Sequence, residues 1–324
     1  MDTAISTSTG RSATVPADLR NDGLTDIVAG EWVVVSVLFN QVTGKFVDGL
    51  WVPLAGSGNC GAAADFNGDG KPDLAVPTSQ GVRARQHDSH ESRHTGAGRL
   101  QPRRQAGCGR FLESVGPLGN GDGTFQRPVI IWSRPPDGGY DYIAAGDVNN
   151  DGWTDLLLTN FVQKSLFVLL NNQQGGFTQT VVINDDAPDA VTLADVNGDG
   201  NLDAVVMMEQ VPLVYLYLGN GHGGFTMVRN TIPYGWHSQA PATVGDVNGD
   251  GIPDLLLPTG ENVGISLGTG GGVFAPPVHV GTGPASYQIV LENLHGQPPT
   301  SGPPDLVAPD SSGGVMVLIN TTKE

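Results

Sequence analysis

Apolar residues in this chain come in short runs separated by turn-forming residues. Val33-Val34-Val35-Ser36-Val37-Leu38-Phe39, Leu166-Phe167-Val168-Leu169-Leu170 and Leu213-Val214-Tyr215-Leu216-Tyr217-Leu218 are rich in β-branched and aromatic side chains. Runs of this length and composition read as strands. A Gly-rich turn ending in Phe follows such runs, as in Gly119-Asn120-Gly121-Asp122-Gly123-Thr124-Phe125 and Gly219-Asn220-Gly221-His222-Gly223-Gly224-Phe225. Asn-Gly and Asp-Gly pairs adopt φ > 0 at little cost, so these turns predict β-hairpins. Weaker versions end at Phe46, Phe177 and Phe274. No stretch keeps helical periodicity beyond about three turns, and no apolar run is long enough to span a bilayer as a helix.

A second pattern shares this period. The motif D-x-N-x-D-G-x-x-D is intact four times, starting at Asp65, Asp147, Asp195 and Asp246, and a damaged copy starts at Asp18. Each copy follows a strand ending in Asp and precedes another such as Asp155-Leu156-Leu157-Leu158-Thr159. A third strand, the hairpin with its Phe and a fourth strand complete the unit. Four antiparallel strands in about fifty residues match one blade of a β-propeller, with the Phe filling the space between blades. Trp51 and Trp132 stand 14 and 15 residues before their Asp loops and are expected at equivalent positions.

The loop starts lie 47, 82, 48 and 51 residues apart, and the Phe series skips in the same place. A degenerate unit begins at Leu291-Glu292-Asn293-Leu294, rejoins the pattern at Pro304-Asp305-Leu306-Val307 and closes with Val315-Met316-Val317-Leu318-Ile319-Asn320. Inside the long interval, residues 83–110 hold seven of the twelve Arg, three of the seven His and Cys108, but only Asp88 and Glu91 as acids. A basic loop for an acidic partner is the ordinary reading. The favoured one is a frameshifted repeat. Back-translated with chosen synonymous codons and read one base later, Gly98 to Arg110 spells A-D-F-N-R-D-G-K-P-D-V-A, nearly Ala64 to Ala75. Residues 83–114 are therefore expected to be irregular, and no function is assigned to their Arg and His. Counting a unit near residue 99 and another near 297 gives seven. The expectation is an all-β chain, residues 1–324 forming a single seven-bladed propeller.

The net charge of −17 changes meaning once the loops are recognised, because they hold twelve of the 33 acidic residues. Four bound Ca²⁺ would bring the charge to −9. A nucleic-acid partner is not expected, since phosphate binding needs Lys/Arg patches. Cys60 and Cys108 make no disulfide framework, and the N-terminus shows neither the basic nor the apolar region of a signal peptide.

Oxygen donors at loop positions 1, 3, 5 and 9 suit a hard cation, and the Gly at position 6 permits the turn that folds them inward. The bland alternative is an Asx-type turn satisfied by backbone N–H groups. No Ser/His/Asp order, H-E-x-x-H or phosphate loop is present. His222 is expected in solvent, and Tyr234-Gly235-Trp236-His237, the one cluster that could form a site, reads best as a packed connecting strand.

The Asp loops together with the L-G-N-G-x-G-x-F hairpins resemble the FG-GAP/VCBS repeat family, the repeat type of integrin α-subunit propellers and of many secreted bacterial proteins. The resemblance covers nearly the whole chain. It implies Ca²⁺ held between the first two strands of certain blades by side chains at positions 1, 3, 5 and 9 and by the carbonyl at position 7. The implied ligands are Asp65, Asn67, Asp69, Lys71 and Asp73; Asp147, Asn149, Asp151, Trp153 and Asp155; Asp195, Asn197, Asp199, Asn201 and Asp203; and Asp246, Asn248, Asp250, Ile252 and Asp254. At Asp18 the third position is Arg20, a cation where an oxygen is needed. The implied function is a non-catalytic, monomeric, extracellular adhesion or binding module with a protein or glycan ligand. The alternative is a carbohydrate-active enzyme on the same scaffold.

Overall fold

The structure, a computed structural model, describes residues 14–31, 34–41, 45–53, 61–78, 81–84, 120–125, 129–132, 142–174, 176–184, 187–208, 210–234, 240–259, 262–281, 289–292, 304–309, 315–318 and 320. All regular elements among these are strands. The first sheet holds β1 (Thr14–Ala17), β2 (Asp26–Glu31), β3 (Val34–Asn40) and β4 (Phe46–Pro53). The second holds β5 (Ala62–Ala64), β6 (Asp73–Thr78), β7 (Gly81–Ala84) and β8 (Val129–Trp132). The third runs through β9 (Ile143–Gly146), β10 (Asp155–Asn160), β11 (Ser165–Asn171) and β12 (Phe177–Asn184). The fourth runs through β13 (Pro188–Ala194), β14 (Asp203–Met208), β15 (Leu213–Gly219) and β16 (Phe225–Pro233).

In the fifth sheet, β17 (Thr243–Gly245), β18 (Asp254–Pro258) and β19 (Asn262–Ser266) pair in order. The ribbon β20 (Gly268–Gly270) and β21 (Val273–Phe274) then precedes the fourth strand, β22 (Val278–Gly281). The sixth sheet holds β23 (Val290–Glu292), β24 (Asp305–Pro309) and β25 (Val315–Leu318).

Every pairing is antiparallel, and all but that of β19 with β22 join strands that follow one another, as in a meander. The first strands β1, β5, β9, β13, β17 and β23 each touch the next in the series. Small antiparallel sheets stacked in this way are the architecture of a β-propeller.

The core explains the continuous apolar runs. Alternate residues of a strand point to opposite faces, and each inner sheet here is covered on both. Leu156 and Leu158 pack toward the second sheet with Phe66 and Ala75, while Leu157 packs toward the fourth with Val206 and Met208. Five clusters of buried residues lie in this manner between consecutive sheets. The hairpin Phe residues sit in these seams: Phe125 between the first and second sheets, Phe177 between the second and third, Phe225 between the third and fourth, Phe274 between the fourth and fifth. Threonine hydroxyls add rungs across the inner strands, Thr159 to the carbonyl of Asp189, Thr192 to Ala242 and Thr243 to Ile289, each at 2.6 Å.

The second sheet departs from the sequence expectation. Arg83 and Ala84, assigned to the irregular segment, are strand residues of β7, paired with Ile130 and Val129 of β8. The skip in the Phe series sets the hairpin ending at Phe125 with the unit after this one, yet its residues 120–125 dock beside this same sheet. The amide of Gly123 donates to the carbonyl of Leu19 at 3.2 Å, as the amide of Gly223 in the fourth sheet donates to Val148 of the third at 3.0 Å. Equivalent hairpin, equivalent acceptor: the hairpin fills the second sheet's slot against the first. The third sheet then follows directly, with β5 touching β9. The unit expected near residue 99, the segment's His residues and its Arg residues other than Arg83, and Trp236-His237 lie outside the described residues. Trp51 and Trp132 do hold equivalent places, both on fourth strands.

Candidate metal centre

The Asp loops join the first and second strands of five sheets and share one backbone path. Positions 4 and 6 both lie in the left-handed region, from Gly68 and Gly70 (φ +76° and +80°) to Asn150 and Gly152 (+59° and +86°). Position 6 was legible from its invariant Gly within the repeats; position 4 was not, because Asn also tolerates this region.

Side chains fold the loop around itself. In the loop at Asp195, Oδ1 accepts the amides of Gly198 (2.7 Å) and Asp199 (3.2 Å), and Oδ2 accepts that of Gly200 (2.8 Å). Asn197 Oδ1 takes the Asp199 amide at 2.8 Å, and its Nδ2 donates to Asp199 Oδ2 at 3.0 Å. Asp199 Oδ1 takes the amide of Asn201 at 2.8 Å. The loop at Asp246 repeats this network bond for bond, through Asn248, Asp250 and the amide of Ile252. At Asp65 the amides of Gly68, Asp69, Gly70 and Lys71 are taken up in the same way by Asp65, Asn67 and Asp69. At Asp147 the amides of Asp151, Gly152 and Trp153 are held by Asp147, Asn149 and Asp151.

Position 9 behaves differently. Asp26, Asp73, Asp155, Asp203, Asp254 and Asp305 are all 0% exposed, in loops intact and damaged alike. In Asp155, Oδ2 accepts the amide of Val148 and Oδ1 the amide of Asn171 at the end of the third strand. Asp203 and Asp254 bridge Val196 to Gly219 and Val247 to Gly268 identically. This aspartate latches three elements of its sheet together, a role that the motif spacing alone did not reveal. Burial pushes the Asp155 carboxyl up to about 6, with further contributions from the charges of Asp151 and Asp147 and opposing ones from the two amides. Asp203 and Asp254 are raised with the same causes in the same order.

The donor chemistry of each loop, oxygen only and rich in carboxylate, fits a hard divalent cation, and the mutual repulsion of its carboxylates is what such a cation relieves. The geometry is that of the Asx turn: among the described residues no group of three or more carboxylate, His or Cys side chains is arranged as metal ligands. The loops also meet one another. Asn150 Nδ2 donates to Asn201 Oδ1 at 2.8 Å, Asn21 Nδ2 to the carbonyl of Gly70 at 3.0 Å, and Gly68 lies against the Trp153 ring. Position 4 thus abuts position 6 or 7 of the next loop from the first loop to the fourth, forming a rim. His222 is exposed at its hairpin tip, as its sequence context implied.

Serial antiparallel sheets, five of them with an aspartate loop at the same corner, define a repeat-built β-propeller. FG-GAP repeats are found within it: the FG-GAP-like repeat model matches residues 18–76 and 147–206, and the FG-GAP repeat model matches residues 58–99. No curated protein matches the sequence. Among solved structures, an Agrocybe aegerita lectin described as recognising non-reducing terminal N-acetylglucosamine aligns over 97% of this chain and 78% of its own, with TM-score 0.59 and 19% identity. A putative 6-phosphogluconolactonase from Bacteroides uniformis aligns over 94% and 79%, with TM-score 0.56 and 14% identity. At such identities the likeness is one of fold. No helix among the described residues is long and apolar enough to cross a membrane.

Proposed function

We propose that this chain is a calcium-stabilised extracellular binding module whose ligand is a glycan. The observation that carries the calcium half is the fourfold recurrence of one oxygen-donor loop with crowded carboxylates, at equivalent corners of consecutive sheets. In this reading Asp, Asn and Asp at positions 1, 3 and 5, with the position 7 carbonyl, turn toward the ion, while the position 9 aspartate contributes beside its latch. The ion neutralises the rim and fixes the loops, and takes no part in catalysis. Extracellular residence is supported by the setting typical of FG-GAP repeats, and the affinity expected there is on the order of 10⁻⁴–10⁻³ M. Glycan is chosen over protein because the lectin likeness supports it.

The seven-unit count is retained as ancestry. In this reading the array had seven repeats, and the closing hairpin of the unit near residue 99 now serves the second sheet.

A calcium titration followed by thermal melting tests the metal. At ~10 mM calcium and Kd ~1 mM, each site adds about 1.4 kcal/mol, so the four raise Tm by several degrees over EDTA. Superimposable melts would sink the calcium reading. A glycan array run in both conditions tests the ligand, with calcium-dependent signal expected on terminal sugars and silence in both conditions counting against it.

A further inference from the structure

The damaged first loop keeps the fold of the intact ones. Asn21 and Gly23 are left-handed (φ +50° and +81°), and Asp18 still accepts the amides of Asp22 (3.1 Å) and Gly23 (2.8 Å). What differs is position 3. Arg20 reaches back into its own loop, with Nη2 2.9 Å from Asp26 Oδ1, Nε 3.3 Å from Asp26 Oδ2 and Nη1 3.1 Å from Asp22 Oδ2. Its Nη2 also donates to the carbonyl of Asn40 at 2.6 Å, and its guanidinium stands 4.9 Å from the centre of the Phe39 ring. The carboxylates at positions 5 and 9 are therefore bridged by a cation that belongs to the chain.

We infer that Arg20 is a tethered cation that replaces a metal ion in the first loop, which is held without calcium. A guanidinium presents a planar fork of N–H donors, and bidentate engagement of a buried carboxylate is among the stronger charge-assisted contacts. An incoming divalent ion would meet this positive charge on the same oxygens and would lack the position 3 oxygen that Asn67, Asn149, Asn197 and Asn248 supply elsewhere. The loop is thus specific against metal by charge and by ligand count. The contrast with the other four loops rests on the calcium reading; the role of Arg20 in holding its own loop does not.

Two variants of the full chain test this. Arg20→Met removes the cation and supplies no ligand. It is expected to melt roughly 3–6 °C below wild type in EDTA, with the deficit unrelieved by calcium. Arg20→Asn restores the intact motif and is expected to bind one calcium more than wild type by isothermal titration, recovering its melt when calcium is added. If Arg20→Met fails to fold, calcium-dependent folding of Arg20→Asn decides. An Arg20→Met melt equal to wild type in EDTA overturns the inference, and so does an unchanged calcium stoichiometry in Arg20→Asn when wild type binds calcium. If neither protein binds calcium, the reading of the intact loops has failed instead, and the EDTA melt of Arg20→Met alone decides for or against the tethered cation.

Discussion

Asp151 and Asp155 stand four residues apart in one loop and do different work. Asp155 is buried with both oxygens committed to amides of two other segments, while Asp151 is exposed at the turn. Replacing Asp155 by Asn puts an NH₂ against a backbone N–H. The expected loss is about 2–3 kcal/mol, read by denaturant unfolding in EDTA. Asp151→Asn should cost under about 0.5 kcal/mol in EDTA and show its deficit only as a smaller calcium-induced rise in Tm. Equal losses for the two variants in EDTA would show that the latch has been misassigned. The sequence made position 9 visible as an oxygen in a metal pattern, and nothing in the spacing separated ligand from latch. Asp305 makes the point: its loop has lost the motif, yet it is buried and takes the amide of Asn320 at 2.8 Å.

The strands were legible because each sheet is covered on both faces, which writes continuous apolar runs such as Leu156-Leu157-Leu158 into the sequence. The hairpins were legible from Asn-Gly pairs and their Phe. The ownership of the hairpin ending at Phe125 was not, because a period counts residues and cannot register that a closing hairpin has docked beside an earlier sheet. That docking makes a prediction at the scale of the element. Phe125 is 2% exposed among Leu19, Val28, Val37, Leu74 and Val76, so Phe125→Ala should destabilise the chain by about 3–5 kcal/mol in chemical denaturation. A loss below about 1 kcal/mol would mean that the hairpin does not close the seam between the first and second sheets.

Across the whole molecule, the buried position 9 aspartates couple stability to pH. An unfolded aspartate titrates near 3.8, and folded Asp155 near about 6, with Asp203 and Asp254 shifted in the same direction. Within that window the folded chain binds more protons than the unfolded one. Stability therefore falls as pH rises through it and is recovered as pH drops. Melts in EDTA are expected to be higher at about pH 5.5 than at about pH 7.5, and calcium should shrink or reverse the difference by competing with protons for the same oxygens. An EDTA melt that rises from about pH 5.5 to about pH 7.5 would contradict the assignment. The net charge of −17 was readable as site charge, whereas the pH dependence was not, because it arises from burial that only the assembled sheets create.

Ala84 and Val129 are direct partners across β7 and β8, so the chain departs from this strand pair and rejoins it at adjacent points. Closing such an excursion costs little that depends on its size, about 0.6 kcal/mol for each doubling of length. Excising residues 87–117 and joining the ends with a short Gly/Ser linker should leave the EDTA melting temperature unchanged within about 2 °C, as calorimetry would show. The same economy runs in reverse, and a foreign domain with closely spaced termini should be accommodated there without disturbing the rim. The place where the repeat pattern fails is thus a graft port, at which this molecule can display cargo.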